Sequence, residues 1–366
     1  MVDRMDSRVD PSSPSPPYRV RLTAPSEIAA AIPHLLGFRP HESVVVVSLT
    51  GPGGRRVGLT IRADLPPPEH AAALAAALTR SIGTDRPSAV LLAVVSEEGD
   101  VHGPGGADVP HRALIHELTV ALAAAEVPVR DALLVRAGRW WSYDCPHHCC
   151  EPGAGAPLPT EVTDLEVASV ATGVVVARDR GELAARIARV TGESAAAMER
   201  TSDRVGDRYC RARLADEAKT AHRSWTEIQR VLGRCRPGPA AVSIALADRD
   251  IARLVWGLSD VRVRDRALGL ALGPDAAAAE ILWTECTRRS PAPLDAAPAT
   301  LLAVSAWLRG DGAMANVALD RALDSRPTYS LARLLSEALA GCLPPEQLRI
   351  AIRESVAELD ESTPAW

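Results

Sequence analysis

The sequence predicts an α/β or α+β N-terminal domain built on a mixed sheet, followed by an all-α C-terminal domain. Three observations carry that reading. Short β-branched runs alternate with helical stripes as far as about residue 160, the rhythm of strands covered by helices. Beyond Pro239 only short helical stripes remain, separated by Gly, Pro and Asp. A chain of 366 residues, 47% hydrophobic and 24% charged, suffices for two or three packed units and matches neither a disordered nor a fibrous composition.

Residues 1–17 form a Pro/Ser tail with too little apolar content to offset its ordering entropy, and disorder is expected there. The α/β domain is placed at 18–160. Pro25 and Glu27 suit the first turn of a helix carrying Ile28, Ala31, Ile32, Leu35 and Leu36, with Gly37 as its C-cap. Residues 43–48 are a β-branched run without alternation, as in a strand buried on both faces. A turn at 51–54 leads into a half-exposed strand in which Val57, Leu59 and Ile61 alternate with polar or small residues. Leu74, Leu78 and Ile82 mark a helix, and 89–95 a second buried strand. Leu114, Leu118 and Leu122 mark another helix after the glycine-rich stretch 96–109. Residues 131–136 and 139–143 read as strands joined by a tight turn near Gly138.

A helical connector is placed at 161–236. Asp179 and Glu182 stand at capping-box spacing ahead of Leu183 and Ile187, while 165–177 satisfies a strand and a helix pattern equally. The all-α domain is placed at 237–366, with helices at 251–258, 261–272, 276–287, 299–308, 313–323 and 331–339. Leu302, Ala303, Ala315, Leu319, Ala322 and Pro327 occupy the small and large positions of a tetratricopeptide-like helix pair, with Asp311 capping the second helix. One such unit is recognisable, whereas a repeat array needs about three to bury a shared core.

Charge and motifs exclude several function classes. The 41 Lys and Arg against 46 Asp and Glu leave a net charge of -5, so neither a membrane surface nor nucleic acid is expected as a partner. Nine basic against five acidic side chains in 201–236 read as a solvated helix face with internal ion pairs. No run approaches the roughly 18–20 apolar residues of a membrane helix. No apolar signal core is present near the start, and a cytoplasmic location is expected. Lys219 is the only lysine and stands among charged residues, which leaves Schiff-base chemistry without a good candidate. Neither a Gly-x-Ser-x-Gly elbow nor a His-Glu-x-x-His pattern occurs. The stretch 102–106 lies between a strand and a helix, as an anion site would, but lacks the lysine and glycine spacing of a phosphate loop.

The densest cluster of chemically capable residues is Arg139-Trp140-Trp141-Ser-Tyr143-Asp-Cys145-Pro-His147-His148-Cys149-Cys150. On a strand, Trp140 and Trp141 point to opposite faces, so both faces need cover. Arg139, Trp140, Trp141 and Tyr143 are therefore the candidate ligand or partner contacts, expected where the α/β domain meets the helical half. Cys145 with Cys149 or Cys150, plus His147 or His148, are candidate zinc ligands. Zinc takes four N/S donors in a tetrahedron, so a remote donor such as His116 or a cysteine of the helical half is expected to complete it. The same thiols also read as a redox pair, Cys145 with Cys149 or Cys150, or as inert, partly buried groups in a loop after the strand.

Several stretches together resemble a known family. They are Ala29-Ala-Ala-Ile-Pro-His-Leu-Leu-Gly-Phe-Arg-Pro-His-Glu-Ser-Val, Arg139-Trp-Trp-Ser-Tyr-Asp-Cys145 with the Cys149-Cys150 pair, Val261-Arg-Val-Arg-Asp265, Trp283-Thr-Glu285 and Ala306-Trp-Leu-Arg-Gly-Asp-Gly-Ala-Met-Ala-Asn-Val-Ala-Leu319. Across about residues 20–350 the chain resembles an actinobacterial family whose domain has no established function. The resemblance lends no activity. The residues lead us to expect a non-enzymatic cytoplasmic binding or scaffold protein that docks a protein partner through its helical C-terminal half. The alternative is a metal- or thiol-dependent enzyme with its site at 139–150.

Overall fold

The computed structural model describes residues 24–54, 56–103, 106–159, 176–236 and 246–362. The tail at 1–17 and most of the doubly readable stretch 165–177 lie outside the described residues.

The first helix, α1 (Pro25–Leu36), opens with a proline that needs no N–H partner and with the Ala24 N–H donating to the Glu27 carboxylate at 3.1 Å. Gly37 ends it in the left-handed region at φ 76°. The β-branched run forms β1 (Ser43–Thr50), buried along almost its whole length. It is flanked on one side by β2 (Arg56–Asp64) and on the other by β3 (Ala89–Val95), both antiparallel to it. Helix α2 (Ala71–Gly83) connects β2 to β3. The glycine-rich stretch contains two short antiparallel strands, β4 (Val101–Gly103) and β5 (Gly106–Asp108), the second opening on Gly106 at φ 105°. Helix α3 (Arg112–Ala124) then leads to β6 (Val129–Arg136), which pairs parallel to β3. Strand β7 (Arg139–Ser142) folds back antiparallel on β6, and the two-residue β8 (Ala156–Pro157) closes the edge. The result is a mixed six-stranded sheet of order β2-β1-β3-β6-β7-β8.

Both faces of the sheet are covered, which accounts for the unbroken apolar runs of its inner strands. Val44, Val46, Leu92, Val94 and Leu134 belong to one core with Leu78 and Ile82 of α2 and Leu118 and Leu122 of α3. Val45, Val47, Leu91, Ala93 and Leu133 belong to the other, with Ile32 of α1 and Phe38. That second core continues without a break into the helical half. Backbone bonds reinforce the junction: Ala177 N–H donates to Gly37 O at 2.9 Å, and Arg39 N–H donates to Ala177 O at 3.0 Å.

The helical half comprises α4 (Arg180–Ala185), α5 (Glu193–Ala215), α6 (Glu217–Cys235), α7 (Asp248–Gly257), α8 (Val261–Leu268), α9 (Ala276–Arg289), α10 (Ala296–Leu308), α11 (Gly312–Ser325), α12 (Ser330–Ala340) and α13 (Pro345–Ser362). Capping follows the expected chemistry. Asp179 accepts from Glu182 N–H at 2.7 Å, and Asp311 accepts from Met314 N–H at 2.9 Å. Every residue of α10 is buried, so this helix is the axis of the core. Its Ala299, Ala303 and Ala306 are buried, as are Ala315, Ala318 and Ala322 of α11, and the small side chains let the two helices approach closely. Asp295, fully buried just before α10, ion-pairs with Arg189 at 2.9 Å and Arg321 at 2.7 Å and accepts the Ser325 hydroxyl, so the buried charge is compensated. The last helix, α13, lies in the all-α region read from sequence, beyond the stripe at 331–339.

Candidate functional site

Strand β7 places the aromatic segment. Trp141 pairs with Leu134 of β6, Trp140 with Val135, and the alternation sends the two indoles to opposite faces. Trp141 is 2% exposed and joins the core under α2 and α3, whereas Trp140 is half-buried against the core that runs into the helical half. Tyr143 continues the strand direction and is buried, its hydroxyl donating to Pro110 O at 2.8 Å; burial pushes its phenol well above the ordinary range. Arg112 donates to Tyr143 O at 2.9 Å and lies over the Tyr143 ring. The Asp108 carboxylate beside it holds the Arg112 guanidinium above its usual pKa.

The loop that follows is held at several points. The indole N–H of Trp141 donates to Glu151 O at 3.2 Å. Arg139 donates to Ala154 O at 2.9 Å and to Gly155 O at 2.6 Å, so this arginine clasps the returning chain. Gly155, at φ 66°, lies flat against the Trp141 indole, and a Cβ there would collide with the ring. Arg136 covers the indole at 4.7 Å while donating to Glu98 O and to Asp100.

Within this frame a short 3-10 turn, 148–150, draws three cysteines together. Cys145 Sγ is 3.9 Å from Cys149 Sγ, which is 3.9 Å from Cys150 Sγ, and all three sulfurs lie within 4.8 Å of one another. None of them is in a disulfide. Ser142 N–H donates to Cys150 Sγ at 3.3 Å. Burial pushes the Cys150 thiol up to about 11, while the His147 backbone N–H lowers the pKa of the half-buried Cys145. His147 and His148 are exposed on the same loop. Among the described residues the group closes at three: the ring nitrogens of His147 and His148 stay outside it, and neither His116 nor a cysteine of the helical half joins it. The arrangement brings soft sulfur donors to one point and leaves the arginines and aromatics around them engaged in holding the loop.

A second polar network escaped the sequence reading. Glu42 and His111 meet at Ser96, at the carboxyl end of β3. Ser96 donates to Glu42 Oε2 at 2.7 Å, and Glu97 N–H donates to Glu42 Oε1 at 2.8 Å. Burial opposes ionisation of Glu42, yet these bonds with the nearby histidines hold its carboxyl below the ordinary range. His111 Nε2 is 3.1 Å from both Ser96 Oγ and Glu98 Oε2. The Ser96 hydroxyl proton is directed at Glu42 rather than at the imidazole. Ser96 is therefore a buried linker, not an activated nucleophile. The signal available in sequence was conformational only: Glu42 and His111 both adopt positive φ, which no pattern of residue types announces.

Fold and site together define a protein with a mixed-sheet α/β unit, a packed all-α half and a three-thiol loop at the sheet edge. The chain belongs to the family described as Domain of unknown function (DUF4192), which matches residues 25–346. No curated protein and no solved structure matches the chain. Among the described residues no helix is long and apolar enough to cross a membrane.

Proposed function

We propose that the 145–150 loop holds one zinc ion through Cys145, Cys149 and Cys150, with the exposed His147 or His148 turning in as the fourth donor when the metal binds, in a non-enzymatic binding protein of the cytoplasm. The observation that carries the reading is the spacing of the sulfurs. A regular tetrahedron with zinc–sulfur bonds of about 2.3 Å has sulfur–sulfur edges of about 3.8 Å. Two of the three sulfur–sulfur edges are 3.9 Å, and the third is within 4.8 Å. A divalent cation at this point favours the thiolate forms of all three and offsets their mutual repulsion.

The role is structural rather than catalytic. Arg112, Arg139, Trp141 and Tyr143 are all committed to hydrogen bonds that fix the loop and the strand before it. None of these groups is left to act as acid or base at the metal. In this reading the helical half, packed around the tetratricopeptide-like α10–α11 pair, docks a protein partner on the outer faces of the helices that surround the buried α10.

Elemental analysis with thiol titration tests the metal reading. Full-length protein purified without chelator is expected to carry one zinc per chain, and chelation is expected to unmask three further reactive thiols. Cys149→Ser and Cys150→Ser variants are expected to lose the metal. A metal-free protein whose Cys145 and Cys149 react freely, or a mass showing a disulfide among the three, would overturn the reading.

A further inference from the structure

A second site lies in the helical half, and its argument is independent of the thiols. Helices α5, α6 and α7 are in mutual contact, and between them is a cavity of about 310 Å³. That is the lower end of the range for small-molecule pockets, roughly 300–1,000 Å³. One face of each helix lines it. From α5 come Val205, Arg208, Tyr209 and Ala212, at positions that share a helical stripe. From α6 come Thr220, Arg223, Ser224 and Glu227, and from α7 Arg249 and Arg253. Two glycines set the approach of the helices. Gly206 of α5 lies under the Trp256 indole, and Gly257 lies against Ser224.

The cavity's charge is one-sided. Four arginines face a single carboxylate, Glu227, and that carboxylate is already bonded to Arg230 at 2.9 Å and to Arg253 at 3.2 Å. Asp250, next along α7, is likewise paired with Arg230 and Arg234. Arg208, Arg223 and Arg249 have no ion pair among the described residues. The Thr220 and Ser224 hydroxyls donate to carbonyls of their own helix at 2.8 and 2.9 Å, so the donors left for a ligand are guanidinium groups. Tyr209 is among the cavity's lining residues, while its hydroxyl is closed off from solvent.

We propose that this cavity binds a small phosphate-bearing molecule. Three unpaired guanidinium forks match the oxygens of a phosphate dianion, which takes paired N–H donors from arginine better than any neutral ligand does. The Tyr209 ring and the Val205 and Ala212 side chains give the rest of such a molecule an apolar wall. The volume limits the occupant to about the size of a mononucleotide or smaller.

Calorimetric titration of the full-length protein at constant ionic strength tests the proposal with two probes, inorganic pyrophosphate and adenosine 5′-monophosphate, and adenosine as the uncharged control. Saturable binding of either phosphate probe is expected, with adenosine silent; which probe binds more tightly distinguishes a free phosphate from a phosphorylated organic molecule. Arg223→Ala and Arg249→Ala, both exposed and so compatible with folding, are each expected to weaken binding roughly tenfold. The proposal is overturned if neither phosphate probe binds saturably, if adenosine binds as well as its monophosphate, or if both arginine variants bind unchanged.

Discussion

The chain keeps its cysteines in two contrasting settings. In the loop after β7, Cys145, Cys149 and Cys150 stand sulfur to sulfur, with backbone N–H groups of His147 and Ser142 directed at two of them. In the helical core, Cys235 and Cys286 are completely buried in an apolar cluster, and burial drives both thiols upward in pKa, Cys286 far more so. Sequence composition treats these residues as equivalents. Their surroundings do not: the His147 N–H holds the Cys145 thiol below its ordinary pKa, whereas burial pushes Cys150, like the core thiols, upward. What sets the loop apart is that three sulfurs meet at one point there.

The largest effect that would sharpen this contrast concerns the platform under the loop. Trp141→Ala removes a buried indole, the Glu151 hydrogen bond and the surface against which Gly155 lies. A loss of about 3–5 kcal/mol is expected, together with loss of bound zinc. Trp140→Ala, half-buried on the other face, is expected to cost about 1–2 kcal/mol and to leave the metal in place. Denaturant unfolding with parallel metal analysis separates the two, and equal losses from both would break the account of β7.

Next comes a pair of cysteine substitutions. Cys286→Ser places a hydroxyl in the apolar core and is expected to cost about 1–3 kcal/mol without touching zinc content. Cys149→Ser, on an exposed position, is expected to change the stability of the metal-free protein by less than about 0.5 kcal/mol while abolishing zinc binding. The reverse pattern would assign the roles of the two cysteine groups wrongly.

The smallest effect is on pH. The Cys286 thiol is raised above its ordinary value of 9.0 in the folded chain, so the folded state holds its proton more tightly than the unfolded state does. Stability from this group is fully present below about pH 9 and declines as pH rises beyond it, by at most about 1.4 kcal/mol per unit. Urea midpoints between pH 8 and 10 are expected to fall less steeply in Cys286→Ala than in the parent chain. Parallel curves would remove Cys286 from the explanation.

How far the sequence carried this picture depends on the range of the forces involved. The buried run at 43–48 appears as β1 and the stripe at Leu114, Leu118 and Leu122 as α3, because both patterns are local and the core selects for them. The β4–β5 pair was hidden because its glycines carry no apolar signature. At the candidate site the sequence showed which residues were neighbours in the chain. It did not show that the three sulfurs converge, since that depends on the turn at 148–150 and on an N–H donated from Ser142. The basic stretch 201–236 is a similar case. Its helical ion pairs exist, Arg213 with Glu217 and Arg230 with Glu227. Periodicity within α5 or α6 alone cannot reveal that Arg208 and Arg223 share a cavity with Arg249 of α7.

The central claim is that three thiolates hold a metal, and X-ray absorption at the zinc edge of the purified full-length protein tests it most directly. The account predicts a shell of three sulfurs at about 2.3 Å with one nitrogen at about 2.0–2.1 Å. The sulfur shell should vanish in a variant with Cys145, Cys149 and Cys150 all changed to Ser. Zinc surrounded only by oxygen and nitrogen, or no zinc at all, would contradict it.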